Sequence, residues 1–172
     1  MQVPVRRAVT DDAAAIADIH VRSWQAAYRG LMPDELLDGL SVADREEMWR
    51  EEAQARGESG VLFVAEHEGA IAGFCALAEP SRDEDAGPEV AEVGAIYIDP
   101  DVWRVGVGRA LMETAVTHLQ AGGWREATLW VLAGNEPALN FYARFGFAPD
   151  GFEKLYERGG TTGIRLRRSL QA

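Results

Sequence analysis

A single cysteine, Cys75, excludes an internal disulfide and any Cys-based metal cluster. No apolar run approaches the ~18–20 residues that a membrane-spanning helix needs, and MQVPVRRAVTDD lacks the apolar core of a secretory signal. These absences make a cytoplasmic location, with no membrane partner, the default expectation. No internal repeat or low-complexity tract is present. Positive charge is scarce, with 17 Lys and Arg against 28 Asp and Glu and a formal net charge of −11. Such a surface repels nucleic acid and anionic lipid, and it attracts cationic small molecules. The basic residues are nonetheless clustered, Arg104 with Arg109 and Arg165 with Arg167 and Arg168, so local positive potential survives the global sign.

The chain is long enough for one domain with a real core, since 47 % of its 172 residues are hydrophobic. VPVRRAV reads as a short strand. TDDAAAIADIHVRSWQAAY opens on Thr10 as a cap, with acidic residues in its first turn and Ile16, Ile19, Trp24 and Ala27 near one helical stripe. GLMP breaks that helix. A second is expected from Val42 to Arg56 after Ser41, with Met48 and Trp49 facing inward. VLFVAE, the turn HEG and AIAGFCALA form a hairpin. EPSRDEDAGPEV reads as a mobile loop, and EVGAIYI is a strand stopping at Asp99-Pro100. A helix then runs from Gly108 to about Ala121, closed by Gly122-Gly123. ATLWVL is a buried strand, NEPALNFYARFGF a short helix ending at Gly146, and FEKLYER with GIRLRRS a last hairpin around Gly159-Gly160. The order β-α-α-β-β-β-α-β-α-β-β predicts an α/β fold of the mixed α+β kind, with a parallel pair somewhere in its sheet.

WRVGVGRALM, Trp103 to Met112, sets two glycines one residue apart at a helix start, with Arg104 and Arg109 on either side. Unpaired N–H groups at a helix N-terminus carry the positive end of the helix dipole, and glycines let backbone approach a ligand closely. An anion is the natural guest, and the arginines are placed to add charge-assisted bonds. A P-loop is excluded, because Gly108-Arg109-Ala110 stands where Gly-Lys-Ser/Thr is required. A dinucleotide fold needs GxGxxG after a first strand, whereas GVGRAL lacks the third glycine and lies past the middle of the chain. A pyrophosphate on a splayed strand with a glycine turn, and a plain strand-to-helix turn, both stay open on this stretch alone.

The neighbouring residues extend the match. AEVGAIYIDPDVWRVGVGRALMETAVTHL resembles the acyl-CoA-binding core of the GNAT family, the GCN5-related N-acetyltransferases. Ile96-Tyr97-Ile98 matches the family's apolar-aromatic-apolar triplet, Pro100 its proline, and Gly106 and Gly108 its glycines. NEPALNFYARFGF is similar to the second signature, with Asn135, Ala138, Tyr142, Gly146 and Phe147 in place. The resemblance covers a single domain, 1–172, with substrate-side helices at 11–56 and an acyl-CoA-binding core at 92–147, and it is weakest over 11–60. One departure is that Trp103 occupies the first Arg/Gln position, while Arg104 takes the next site, often glycine.

The resemblance implies transfer of acetyl from acetyl-CoA to a primary amine of a small molecule or peptide, across a V-shaped opening in the sheet. Pantetheine would lie along Ile96, Tyr97 and Ile98 as an added strand. The pyrophosphate would sit on the N–H groups of Val105, Gly106, Val107, Gly108 and Arg109, beside Arg104. Asn135 would hydrogen-bond the cofactor arm, with Ala138 leaving room for it next to Phe141. Tyr142 would meet the thioester sulfur as the acid, although with Leu139 and Phe145 it also makes a core stripe. Glu92 matches a position where some relatives place a carboxylate base, the other reading being a solvated end of an acidic loop. Trp24, Tyr28 and Met32, with Trp49, are candidates for an acceptor wall that packing explains equally well. His20, His67 and His118 read as surface or satisfied histidines, so no metal is expected. Members of the family are often dimers. A catalytically silent acyl-CoA-binding or sensory domain of the same fold is the alternative from another class.

Overall fold

The structure is a computed structural model that describes residues 2–55, 59–157 and 159–171. β1 (Val5–Arg7), β2 (Gly60–His67), β3 (Ala70–Ala78), β4 (Val90–Ile98), β5 (Glu126–Leu132), β6 (Ala148–Tyr156) and β7 (Thr161–Ser169) form one sheet in the order β1-β2-β3-β4-β5-β7-β6. Every neighbouring pair is antiparallel except β4–β5, the expected parallel pair. The helices are α1 (Ala13–Ala27), α2 (Asp34–Asp38), α3 (Val42–Gln54), α4 (Val107–Ala121) and α5 (Glu136–Arg144).

Helices cover both faces of the sheet. On one face α1 and α3 bury Ile16, Ile19 and Trp49 against Leu62, Val64 and Phe74. On the other α4 buries Leu111, Met112, Ala115 and Leu119 against Cys75, Leu77, Leu129 and Val131, with α5 beside it. A strand covered on both sides has no polar face, which is why AIAGFCALA and ATLWVL read as continuous apolar runs. Each fully buried leucine such as Leu111 contributes about 2–3 kcal/mol.

Three local expectations are corrected. Thr10 belongs to a 3-10 turn, Thr10–Asp12, and caps nothing; the Val9 N–H donates instead to Asp12 Oδ2 at 2.8 Å. Arg6 selects Asp12 by gripping both its carboxylate oxygens, at 2.8 and 3.1 Å. Ser41 does cap α3, accepting from the Asp44 N–H at 3.1 Å. The five-residue α2 is absent from the expected order, because so short a helix shows no periodicity. The loop between β3 and β4, read as mobile, is tied down at three points. Arg82 reaches Glu92 at 2.7 Å, Trp130 Nε1 donates to Asp83 at 2.9 Å, and Arg165 bonds Asp85 at 2.8 and 3.0 Å. Asp83 and Asp85 thus both lie against one cation, Arg165, which is only 1 % exposed. The expected helix end at Arg56 and the Arg158 end of the last hairpin strand lie outside the described residues. Among the described residues no helix is long and apolar enough to cross a membrane.

Candidate active site

β4 and β5 share only the rungs Val90–Glu126, Ala91–Ala127 and Glu92–Thr128. Past Glu92, β4 continues to Ile98 paired with β3 alone, and past Thr128, β5 continues to Leu132 paired with β7 alone. The sheet therefore forks, and the facing backbone edges of Ala95–Ile98 and Leu129–Leu132 are left to another partner. Extended amides are what such edges recognise.

Beyond Ile98 the chain makes a 3-10 turn, Pro100–Val102, anchored by Asp99. Asp99 accepts from the Asp101 N–H at 3.0 Å and pairs with Arg22 of α1 at 3.0 Å, so it is the turn residue the sequence suggested. Gly106 then precedes α4 with φ +97°, and a Cβ placed on it would meet nothing within 4 Å, so the turn opens outward. The first intrahelical bond runs from the Ala110 N–H to the Gly106 carbonyl at 3.0 Å. That leaves the N–H groups of Val107, Gly108 and Arg109 pointing out of the helix end. An ideal Cβ on Gly108 would lie 3.4 Å from Phe141, which brings the helix start against α5. The residues present fit a diphosphate.

The two departures in this turn acquire definite places. Trp103, 44 % exposed, turns its indole N–H back to the Ile98 carbonyl at 3.0 Å. Arg104 sits at φ +72°, the left-handed conformation that favours glycine, with an exposed side chain. Val105 is exposed beside it. Arg109 spends its Nε on Glu113 at 2.7 Å.

α5 faces the fork from the other side. Asn135 caps it, its Oδ1 accepting from the Ala138 N–H at 3.4 Å, which leaves the side-chain NH2 for other partners. Ala138, Phe141 and Tyr142 pack partly buried on the α4-side core, so the core-stripe reading of Tyr142 holds as packing. Burial holds the Tyr142 hydroxyl protonated well above the ordinary phenol value, with Tyr97 and the Cys75 thiol adding to the effect. Cys75 is fully buried, its thiol pushed up to about 12 by burial, so it offers no nucleophile.

Glu92 stands at the crotch of the fork. It is 2 % exposed, which removes the solvated reading. Burial alone would raise its pKa, but the Arg82 side chain (Nη2 to Oε2 at 2.7 Å, Nε to Oε1 at 3.2 Å) and the Arg82 N–H at 3.0 Å outweigh it and hold the carboxyl below its ordinary value. The Arg82 side chain is 68 % exposed.

On the face of the sheet that carries α1, Trp24, Tyr28 and Met32 are brought together, with Leu132 and Tyr156, at the corner between α1 and α2. The Tyr28 hydroxyl meets that of Tyr97 on β4, and burial, with Tyr97 and Tyr142 nearby, raises its pKa well above the ordinary value. Trp24 Nε1 is buried without a hydrogen bond. Sequence reasoning missed Tyr156, which packs in this corner, Lys154 and Trp130, which stand beside it, and Arg82, which holds Glu92. Only the polar loop and the aromatic residues of the late strands hinted at them. His20 is a buried, satisfied histidine that accepts from Trp49 Nε1 at 3.0 Å, while His118 pairs with Glu79 at 3.0 Å.

Comparison with known proteins agrees with this geometry. The family model of the acetyltransferase (GNAT) family matches residues 14–147. The uncharacterised N-acetyltransferase YuaI of Bacillus subtilis (strain 168) is 31 % identical over 168 residues, 96 % of this chain and 89 % of that protein. The mycothiol acetyltransferase of Amycolatopsis mediterranei (strain U-32) is 30 % identical over 115 residues, 66 % of this chain but 38 % of its own length. The PaiA N-acetyltransferase of Thermoplasma acidophilum, solved in complex with coenzyme A, superposes with a TM-score of 0.81 at 17 % identity, covering 98 % of this chain and 99 % of that one. YncA of Salmonella typhimurium, solved with acetyl-CoA, gives 0.74 at 18 % identity, covering 100 % and 96 %. These likenesses carry the fold, a forked sheet with one parallel pair. The chain belongs to the acetyltransferase (GNAT) family.

Proposed function

We propose that the chain is a cytoplasmic N-acetyltransferase that uses acetyl-CoA to acetylate a primary amine of a small molecule or peptide. The observation that carries this is the join of an open β4 edge to an outward-facing glycine turn, one able to pair amides and the other to hold a diphosphate. When bound, acetyl-CoA supplies a thioester whose carbonyl carbon an amine attacks. The Ala95–Ile98 edge pairs with the pantetheine amides, Val107 to Arg109 donate N–H bonds to the diphosphate, and Asn135 donates its NH2 to the arm. The Ile98 N–H, which the register turns to the open side, polarises the carbonyl. Tyr142, kept protonated, donates to the leaving sulfur.

Glu92 takes up the amine proton, and its setting defines the difficulty. An ammonium near ~10.4 gives a proton unwillingly to a carboxylate below ~4.5. Withdrawal of the exposed Arg82 guanidinium raises the Glu92 pKa and frees it to act. The same ion pair favours the second reading, a silent acyl-CoA-binding domain, if Arg82 never leaves.

Acetyl-CoA should raise the melting temperature and NAD should not. Gly106→Val, which forces a β-branched residue into a left-handed backbone, should abolish the shift. Free-thiol release over polyamines, aminoglycosides, amino acids and N-terminal peptides identifies the acceptor. Tyr142→Phe should lower kcat about a hundredfold while the acetyl-CoA shift persists. A chain that binds acetyl-CoA yet releases thiol with no amine is the silent domain.

A further inference from the structure

Of the chain's 17 Lys and Arg residues, one alone is lysine, Lys154. It lies on β6 opposite Gly163 of β7, which faces Leu132 of β5. Its ammonium nitrogen stands 4.1 Å from the centre of the Trp130 ring and 5.1 Å from that of Tyr156. Trp130 follows the last β4–β5 rung by two residues, about 7 Å along the strand, on the face that Thr128 and Glu92 share. The Lys154 charge helps keep Glu92 ionised, so the two groups are electrostatic neighbours. None of the ion pairs among the described residues engages Lys154.

A cation is not obliged to be lysine to cap an aromatic ring here. Arg165 does so over Phe152 at 4.1 Å, and every other basic Lys/Arg position in the chain is arginine. Arginine stacks on rings at least as well and cannot be deprotonated in a protein. The single side-chain amine that can become a nucleophile is therefore the one beside the open fork.

We propose that Lys154 is an internal acceptor, acetylated at Nζ by the chain that carries it; this rests on the acetyltransferase reading of the fork. In the step, the Nζ ammonium releases one proton to solvent and its freed lone pair bonds the thioester carbonyl carbon. The C–S bond breaks with its electron pair on sulfur, the nitrogen gives up a second proton to become the neutral amide, and the thiolate takes up one proton to leave as coenzyme A. Around the amine and its two rings stand Glu92 of β4, which feels the Lys154 charge, Arg82 and Asp83 of the β3–β4 loop, which act on Tyr156, with Asp83 also accepting from Trp130, and Arg165 of β7, which lies over Trp130. Acetylation removes the charge, ends the contact with Trp130, and withdraws one of the influences that favour ionised Glu92.

The test incubates the full chain with acetyl-CoA, with coenzyme A as blank, and maps acetylated peptides by tandem mass spectrometry, which separates Lys154 from the N-terminal amine. The expected result is acetyl on Lys154, gained at a rate independent of protein concentration and lost in urea-unfolded chain. Tyr142→Phe, which keeps the glycine turn, should slow the modification by the same factor as it slows turnover of free amines. If acetyl-CoA shifts the melting temperature and free amines release thiol while Lys154 stays unmodified, the internal acceptor is wrong and the enzyme reading stands. Equal modification of folded and unfolded chain overturns it too, as unassisted chemistry. Neither binding nor thiol release removes both.

Discussion

His20 makes a sharp prediction about stability against pH. It sits on α1, 6 % exposed, stacked on Tyr97 with ring centres 5.3 Å apart and planes 11° apart. Its Nδ1 accepts the Trp49 indole N–H at 3.0 Å, which places its own proton on Nε2. Burial first, then the charge of Arg45, lowers its pKa from 6.5 to about 4. Between those values the unfolded chain binds a proton that the folded chain refuses, so stability rises with pH there. The contribution is complete above the unfolded value and falls by about 1.4 kcal/mol for each pH unit below it, reaching about 3 kcal/mol near the folded value. Asp12, Glu92 and Asp150, held below the ordinary carboxylate range by cations and N–H donors, stay ionised throughout that window. Urea denaturation from about pH 7 down to about pH 5 should therefore show a loss of ~2 kcal/mol from this residue. His20→Asn keeps an acceptor for Trp49 and removes the titration, so subtracting its curve cancels the other two histidines. Parallel curves for the two proteins would refute the reasoning.

The remaining predictions concern the two arginines nearest the fork. Arg104→Gly relieves a left-handed residue, worth about 1 kcal/mol, and should raise the melting temperature while weakening acetyl-CoA binding severalfold by removing a cation; a lower melting temperature would count against the strain. Arg82→Gln withdraws the charge that depresses the Glu92 pKa and leaves burial to raise it, so the acid limb of kcat/KM should move to higher pH. An unmoved limb would mean that Glu92 is not the base.

The parts of the fold legible in the sequence were those whose physics is local. The β4 triplet, the glycine turn and the Asn135 to Phe147 segment that carries α5 are each contiguous, and each residue type there answers to a neighbour a few positions away. The helix start at Ala13 was misread because the group satisfying the Val9 N–H was chosen by Arg6, on a strand. The β3–β4 loop looked solvated because its partners, Trp130 and Arg165, come from β5 and β7 and become neighbours only through the register Trp130–Arg165. Lys154, Trp130 and Tyr156 converge for the same reason, with β7 inserted between β5 and β6. No sequence separation encodes that insertion.

The fork itself has a cause that joins these levels. Ala76 pairs with Ala95 and Leu77 with Val93, leaving Gly94 unmatched as a bulge in β4. A bulge bends its strand and increases twist, and β4 leaves β5 at this point, being paired up to Glu92 and free from Ala95. Gly94 also keeps the crotch passable, since a Cβ there would stand 3.0 Å from Arg82 Nη2, the atom that reaches Glu92. The far end is closed by the residue that departs from the family pattern. The Asp99 N–H bonds the Ala72 carbonyl of β3, so across that trans peptide the Ile98 carbonyl faces the open side. Trp103 takes up one lone pair of that oxygen and covers the end of the edge, so on the proposed reading an added strand would turn near Ile98 toward the N–H groups that follow Gly106. On the acetyltransferase reading proposed above, Trp103 would act on the edge offered to the ligand's amides and the diphosphate would be left to the backbone, which would make the first Arg/Gln of the signature dispensable in this chain.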